Sequence, residues 1–319
     1  MISRRLLRVK ALQVIYAFNR KEGNDPLTAD KELELSIGKA YDLYLYLLLL
    51  LVELQSVARE RIDTALNKKM PAWEDLHPNR RFADNIILEC LGLSKSLERE
   101  AARRAVTWHG SAEISRVLFG RMTAWPGFAE YMRSQDNSTG SARKFVTSLL
   151  NALLLESDDL LSHLEEKSIY WNDDVDYAFI MIEKTIRKIR PGEATEIELM
   201  PLYKNEDDEK FAFHLMRNTL LKSEMTRELI DRNTTNWEIE RIALMDILVM
   251  QLAITEIMVF PEVPVKVTLN EYIEIAKHYC TSKSSTFING ILDKVVKEMK
   301  LRKLFEKTGR GLVGENSEE

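Results

Sequence analysis

Residues 237–257, WEIERIALMDILVMQLAITEI, decide the fold. From Ile239 to Val259 the stretch is apolar on almost every side of a helical projection, apart chiefly from Arg241, Asp246, Gln251 and Glu256. A helix that is hydrophobic all round is a buried one, so this segment predicts the central helix of a bundle, with NTTNWEIER (233–241) capping it. PEVP at 261–264 ends it, and Pro264 suits the first turn of a successor. There Lys266, Asn270, Glu274 and Lys277 form one polar stripe, while Leu269, Ile273 and Ala276 are expected to face the core. A final helix follows, with Phe287, Ile288, Ile291, Leu292, Val295, Val296 and Met299 on its apolar face. The helical rhythm continues through Asn289-Gly290, so Gly290 is read as a close approach of a neighbouring helix rather than a hairpin turn.

Working outward, no glycine occurs from Glu193 to Asn289, too long a run for a β-rich fold that must turn every eight to twelve residues. The chain therefore reads as all-α. Phe211, Leu215, Leu220 and Leu221 mark one helix before the central one, and Glu224 to Asp231 another. Residues 2–20 read as a helix with Leu7, Ala11, Val14 and Phe18 on the core face and Arg4, Arg5 and Arg8 turned away from it. KEGNDP (21–26) is a turn, after which Thr28 or Asp30 can cap a helix running to about Asn67. Within it LYLYLLLLLV (43–52) is ten apolar residues long, whereas a bilayer span needs about 20. It is expected to be a buried core helix. Residues 66–80, with two prolines, read as a loop. From Phe82 to Lys188 several apolar-periodic segments are punctuated at Gly92, Gly110, Gly120, Pro126-Gly127 and 134–141. Pro191-Gly192 and Pro201 bracket a polar connection, and Glu206 to Glu209 suit the start of a following helix through its dipole. The tail from Lys307 reads as disordered.

The 319 residues hold 45 basic and 50 acidic side chains and 45% hydrophobic residues, the composition of a globular protein. Cys90 and Cys280 lie far apart and outside any CxxC, which supports neither a disulfide framework nor a cysteine zinc site and suggests a reducing, cytoplasmic setting. The net charge of −5 is unevenly spread. Residues 1–21 carry six basic groups and no acidic one, and residues 264–303 carry eight against four. Two basic ends around an acidic middle suit either one cationic surface or ordinary solvated helix faces. Between Glu156 and Asp176 stand eight acidic groups and one lysine, a solvated surface or a contact for a basic partner.

No phosphate-binding glycine loop, HExxH or GxSxG occurs. His77, His109, His163, His214 and His278 are scattered, and His278 and Cys280 point apart on a helix, so neither a metal site nor a nucleophile–base pair is expected. Asp246 and Glu256 in the apolar helix are either perturbed carboxylates or partners of Arg241 and helix ends. No cofactor and no catalysis are expected.

WEIERIALMDILVMQLAITEI, then VPVKVTLNEYIEIAKHYC (263–280) and STFINGILDKV (285–295), resemble the NusB family of bacterial transcription antitermination factors. Members share a run of the form iPxKVaInEaveLAK and then FvNGvLdk. RRLLRVKALQVIYAF (4–18) is similar to the family's arginine-rich first helix. The resemblance covers residues 1–22 and about 209–300. It implies a NusB-like helical bundle of two packed subdomains. The expected layout is an N-terminal basic helix (1–22), a large helical insertion (23–204), a C-terminal core (205–303) and a disordered tail (304–319).

The resemblance also implies a non-catalytic RNA-binding adaptor that pairs with NusE, a ribosomal small-subunit protein. The pair would grip boxA-like single-stranded RNA in nascent ribosomal transcripts and act within the RNA polymerase antitermination complex, with no membrane partner. Arg4, Arg5 and Arg8 match the family's RNA-binding arginines, and Lys10, Lys266 and Lys283 are added as candidate phosphate contacts. Leu6 stands where a basic residue is common, Gln251 where an arginine is usual, Lys283 where the loop is often acidic, and Thr286 where a basic residue often precedes the phenylalanine. Asn270, Tyr272 and Tyr16 are available either for base contacts or for the core. Two other readings stay open: the RNA-binding module of an RNA cytosine methyltransferase system, and a helical protein–protein scaffold. Homodimerisation, which occurs in the family, is also open.

Overall fold

A computed structural model describes residues 2–20, 25–154, 157–192, 196–234 and 241–313. Among them every regular element is a helix and there is no strand, so the fold is all-α. The chain runs through α1 (Arg4–Arg20), α2 (Pro26–Leu66), α3 (Trp73–Leu76), α4 (Ile86–Gly92), α5 (Lys95–Arg103), α6 (Ala112–Ala124), α7 (Pro126–Arg133) and α8 (Thr139–Leu154). It continues through α9 (Asp158–Lys167), α10 (Val175–Lys188), α11 (Glu206–Leu221), α12 (Ser223–Asn233), α13 (Leu244–Val259), α14 (Val265–Tyr279) and α15 (Ser284–Leu301). Two compact units result, one of residues 38–202 and one of residues 2–37 with those from 203 onward.

The first unit is built on most of α2. Pro26 occupies the first helical position, where its missing N–H is no loss, and Asp25 Oδ1 accepts from the Leu27 N–H at 3.0 Å. The helix therefore starts ahead of Thr28 and Asp30, the caps expected from sequence. Among the described residues α2 is the one helix long and apolar enough to cross a membrane, with a mean hydropathy of 1.6, yet 72% of that window is buried inside the protein. Its leucine block, 43–52, lies in the core as expected. Buried polar groups tie other segments to it. Trp108 Nε1 donates to Tyr46 O at 2.6 Å, Trp171 Nε1 to Lys39 O at 2.8 Å, and Gln55 Nε2 to Ala83 O at 2.9 Å. The Trp108 ring stacks on Tyr46 at 4.3 Å. Asn85 caps α4 by accepting from the Ile87 and Leu88 N–H groups. α8 packs on α4, α6, α7 and α10. Gly120, expected to punctuate, lies inside α6, whereas Pro126 opens α7 as its fixed φ favours.

The second unit centres on α13, which touches α1, α11, α12, α14 and α15. Every residue from Asp246 to Ile257 is buried, as the all-round apolar sequence predicts. The helix begins at Leu244 rather than Ile239; of its expected cap, residues 235–240 lie outside the described residues. On α14 the core face is turned from the one expected. Thr268, Tyr272, Ile275 and Ala276 are buried while Leu269 and Ile273 are half-buried, because Thr268 and Tyr272 bond to a carboxylate of α13. Gly290 is exposed and a Cβ there would meet nothing within 4 Å, so no neighbouring helix approaches it.

The tail is also ordered further than expected. Lys307 is buried, its Nζ donating to Ile257 O at 2.9 Å and Phe260 O at 3.0 Å, carbonyls at the C-terminal end of α13, where a cation is favoured by the helix dipole. Thr308 N donates to Pro261 O at 3.1 Å, and a short 3-10 turn, Gly309–Leu312, follows. A lysine followed by Thr308-Gly309-Arg310-Gly311 carries no apolar periodicity, which is why the segment reads as disordered in sequence.

Candidate nucleic-acid interface

α1 is seated against α11 and α13, and its residues from Leu6 to Leu12 are all buried. It is an interior helix, not a surface helix with one apolar stripe. Its arginines consequently lie among acidic and aromatic groups of the C-terminal helices. Arg4 Nε donates to Asp208 Oδ1 at 2.7 Å. Arg5 Nε and Nη2 donate to the two oxygens of Glu271 at 2.9 and 2.8 Å. The Arg4 and Arg8 guanidinium groups lie 5.1 and 5.2 Å from the centre of the Phe211 ring.

Arg8 differs from its neighbours. Its side chain is 4% exposed and grips Glu256, itself fully buried, by Nε to Oε2 and Nη2 to Oε1, both at 2.7 Å. Thr268 Oγ1 donates to Oε1 at 2.9 Å and Tyr272 OH to Oε2 at 3.0 Å, so each carboxylate oxygen receives two hydrogen bonds. Burial would lower the Arg8 pKa, but the hydrogen bonds and charge of Glu256 outweigh it and hold Arg8 above its ordinary value. Burial first, and then the Glu256 charge, push the Tyr272 hydroxyl well above its usual range. Tyr272 is thus a core residue. Glu271 is held below the usual carboxylate range, chiefly by the Arg5 hydrogen bond, against the opposing effect of burial.

Of the six candidate phosphate contacts, Arg4 and Arg5 are exposed at the start of α1, with side chains 42% and 43% accessible. Arg8 and Lys10 are buried, which corrects the expectation that the arginines share an outward face. Lys266, in the first turn of α14, and Lys283, at the residue before α15, are exposed. Arg4 uses only Nε among the described residues, so its terminal nitrogens can take a phosphate oxygen.

Sequence reasoning missed Asp208, Glu256 and Glu271 as the groups that place these arginines. One signal was present: a lone glutamate inside an apolar helix needs a cation. Gln251 donates from Nε2 to Ser223 O at 2.7 Å and to Thr226 Oγ1 at 3.0 Å, joining α13 to the start of α12. Leu6 is buried. Asp246, in the first turn of α13, accepts from Ser284 Oγ at 2.8 Å and is also hydrogen-bonded by the Cys280 thiol. Among the described residues no cluster of three His, Cys, Asp or Glu could hold a metal ion.

The class so defined is an all-helical protein whose arginine-bearing first helix is anchored in a C-terminal bundle. The NusB family model matches residues 141–297. The transcription antitermination protein NusB of Salinibacter ruber is 44% identical over 115 residues, covering 36% of this chain and 72% of that protein. That of Chloroherpeton thalassium is 36% identical over 137 residues, covering 43% and 63%. A solved structure of T. maritima NusB is 28% identical, covers 43% of this chain and 85% of its own, and has a TM-score of 0.29. The chain belongs to the NusB family.

Proposed function

We propose that this protein is a cytoplasmic RNA-binding adaptor of transcription antitermination. It would bind boxA-like single-stranded RNA of nascent ribosomal transcripts together with NusE, as part of the RNA polymerase antitermination complex. The observation that carries this reading is the 44% identity with the Salinibacter ruber transcription antitermination protein over nearly three quarters of that protein. Residues 23–204 are then a helical extension of the family fold, overlapping the family match from residue 141.

In this reading Arg4, Arg5, Lys266 and Lys283 meet phosphates. Arg8 and Lys10 act from the interior, Arg8 by fixing α1 to α13 and α14 so that Arg4 and Arg5 are presented in one orientation. Arginine forks grip phosphate bidentately and release counterions, so binding is steeply salt-dependent. Glu271 and Asp208 compete with the phosphate for Arg5 and Arg4, which moderates affinity and leaves room for a partner to strengthen it.

The test is binding of a boxA-like single strand at two salt concentrations, with and without NusE. The reading expects affinity to rise with NusE and to fall in Arg4→Ala/Arg5→Ala. If neither RNA nor NusE binds, the scaffold reading replaces it, a reading favoured by the pairing of all three arginines with carboxylates.

A further inference from the structure

On the first unit, a cleft of ≈ 290 Å³ is lined by Glu60, Arg61 and Thr64 of α2, Lys68 just past its end, and Arg116 of α6. The Arg61 guanidinium lies over the Phe119 ring, 4.5 Å from its centre. Phe119 stands three residues after Arg116 on α6, so the two share one face and the aromatic contact brings Arg61 beside Arg116. Elsewhere in this unit Arg80, Arg99, Arg103, Arg104 and Arg121 each hold a carboxylate. Arg61 and Arg116 make no ion pair among the described residues, although Glu60 lines the same cleft. Lys68 adds a third cation, with Asp75 at 2.7 Å.

Two neighbouring guanidinium groups that hold no carboxylate in an ion pair repel each other until an anion joins them. A guanidinium held over an aromatic ring loses little freedom when it takes an oxyanion, and the Thr64 hydroxyl supplies a further donor. We propose that this cleft binds the phosphodiester backbone of RNA, giving the extension its own nucleic-acid contact. The inference rests on the RNA-adaptor reading above, but on none of the residues assigned there. The proposed contact is to phosphate oxygens and not to base edges, so it is insensitive to sequence.

The experiment measures affinity of the full chain for a labelled boxA-like single strand and for a scrambled strand across a salt series. Arg61→Gln/Arg116→Gln is compared with wild type and with Arg80→Gln/Arg103→Gln, and helicity by circular dichroism checks folding. Loss of two phosphate contacts should flatten the slope of log K against log salt by about 1.4, equally for both strands, while the control keeps the wild-type slope. Arg116→Gln alone leaves Arg61 on its ring and should give about half that change, and it serves if the double variant loses helicity. An unchanged slope in Arg116→Gln and the double variant, with wild-type RNA binding intact, overturns the cleft and leaves the adaptor reading standing. No binding of either strand by the wild type overturns both.

Discussion

Arg8 and Glu256 stand 248 positions apart and meet through two hydrogen bonds of 2.7 Å with both side chains sealed from solvent. The pair joins the first helix of the chain to its central one, and Thr268 and Tyr272 bring in α14. Removing one partner leaves a buried charge unpaired, which costs about 3–5 kcal/mol. Arg8→Met should lower unfolding free energy in urea by that amount. Arg8→Met/Glu256→Leu should recover much of it, less the cost of the two hydroxyls left without an acceptor, about 1–3 kcal/mol each. A single-variant loss below about 1 kcal/mol would show the pair to be exposed in solution.

Acid sensitivity should come in part from Glu271. Its carboxyl is held low by Arg5, so its contribution is fully present above the ordinary carboxylate pKa of about 4.3 and is lost as pH falls through the depressed value. Glu271→Gln should therefore be less stable than wild type at neutral pH, with the gap closing below about pH 4. Denaturant midpoints taken from pH 7 down to pH 3 check this; a constant gap contradicts it.

Both cysteines should be unreactive in the native state. Burial, and then the hydrogen bond to Asp246, push the Cys280 thiol up to about 12, and burial raises Cys90 as well. A thiol reagent at pH 8 should label two cysteines in denaturant and react far more slowly without it. Rapid native labelling of Cys280 would mean that the Asp246 contact is not kept.

Two glycines should respond in opposite directions. Gly290 is exposed within α15 with open space around it, so Gly290→Ala should stabilise by about 0.5–1 kcal/mol. At Gly311 a Cβ would stand 2.0 Å from Pro261 O, so Gly311→Ala must displace the tail and should destabilise by about 1–3 kcal/mol. Thermal unfolding of the two variants compares them directly. Equal shifts would mean that residues 307–313 do not pack on the 261–262 turn.

The all-α class, the buried leucine block of α2 and the burial of α13 were legible because they follow from local rules: periodicity, composition and the absence of glycine. The tail contact at Lys307 and the turn of α14 towards Thr268 and Tyr272 were not. Both depend on acceptors that another helix supplies, Ile257 O in one case and the Glu256 carboxylate in the other.

The candidate interface divides in the same way. The sequence by itself determined an arginine-rich first helix, a central apolar helix with one lone glutamate, and the family motifs that follow it. Only the tertiary structure decided which arginines reach solvent. A charged side chain on an amphipathic helix is read as outward-facing, because burying it alone is costly. Whether that cost is met depends on a carboxylate and two hydroxyls converging from distant parts of the chain, and for Arg8 they do.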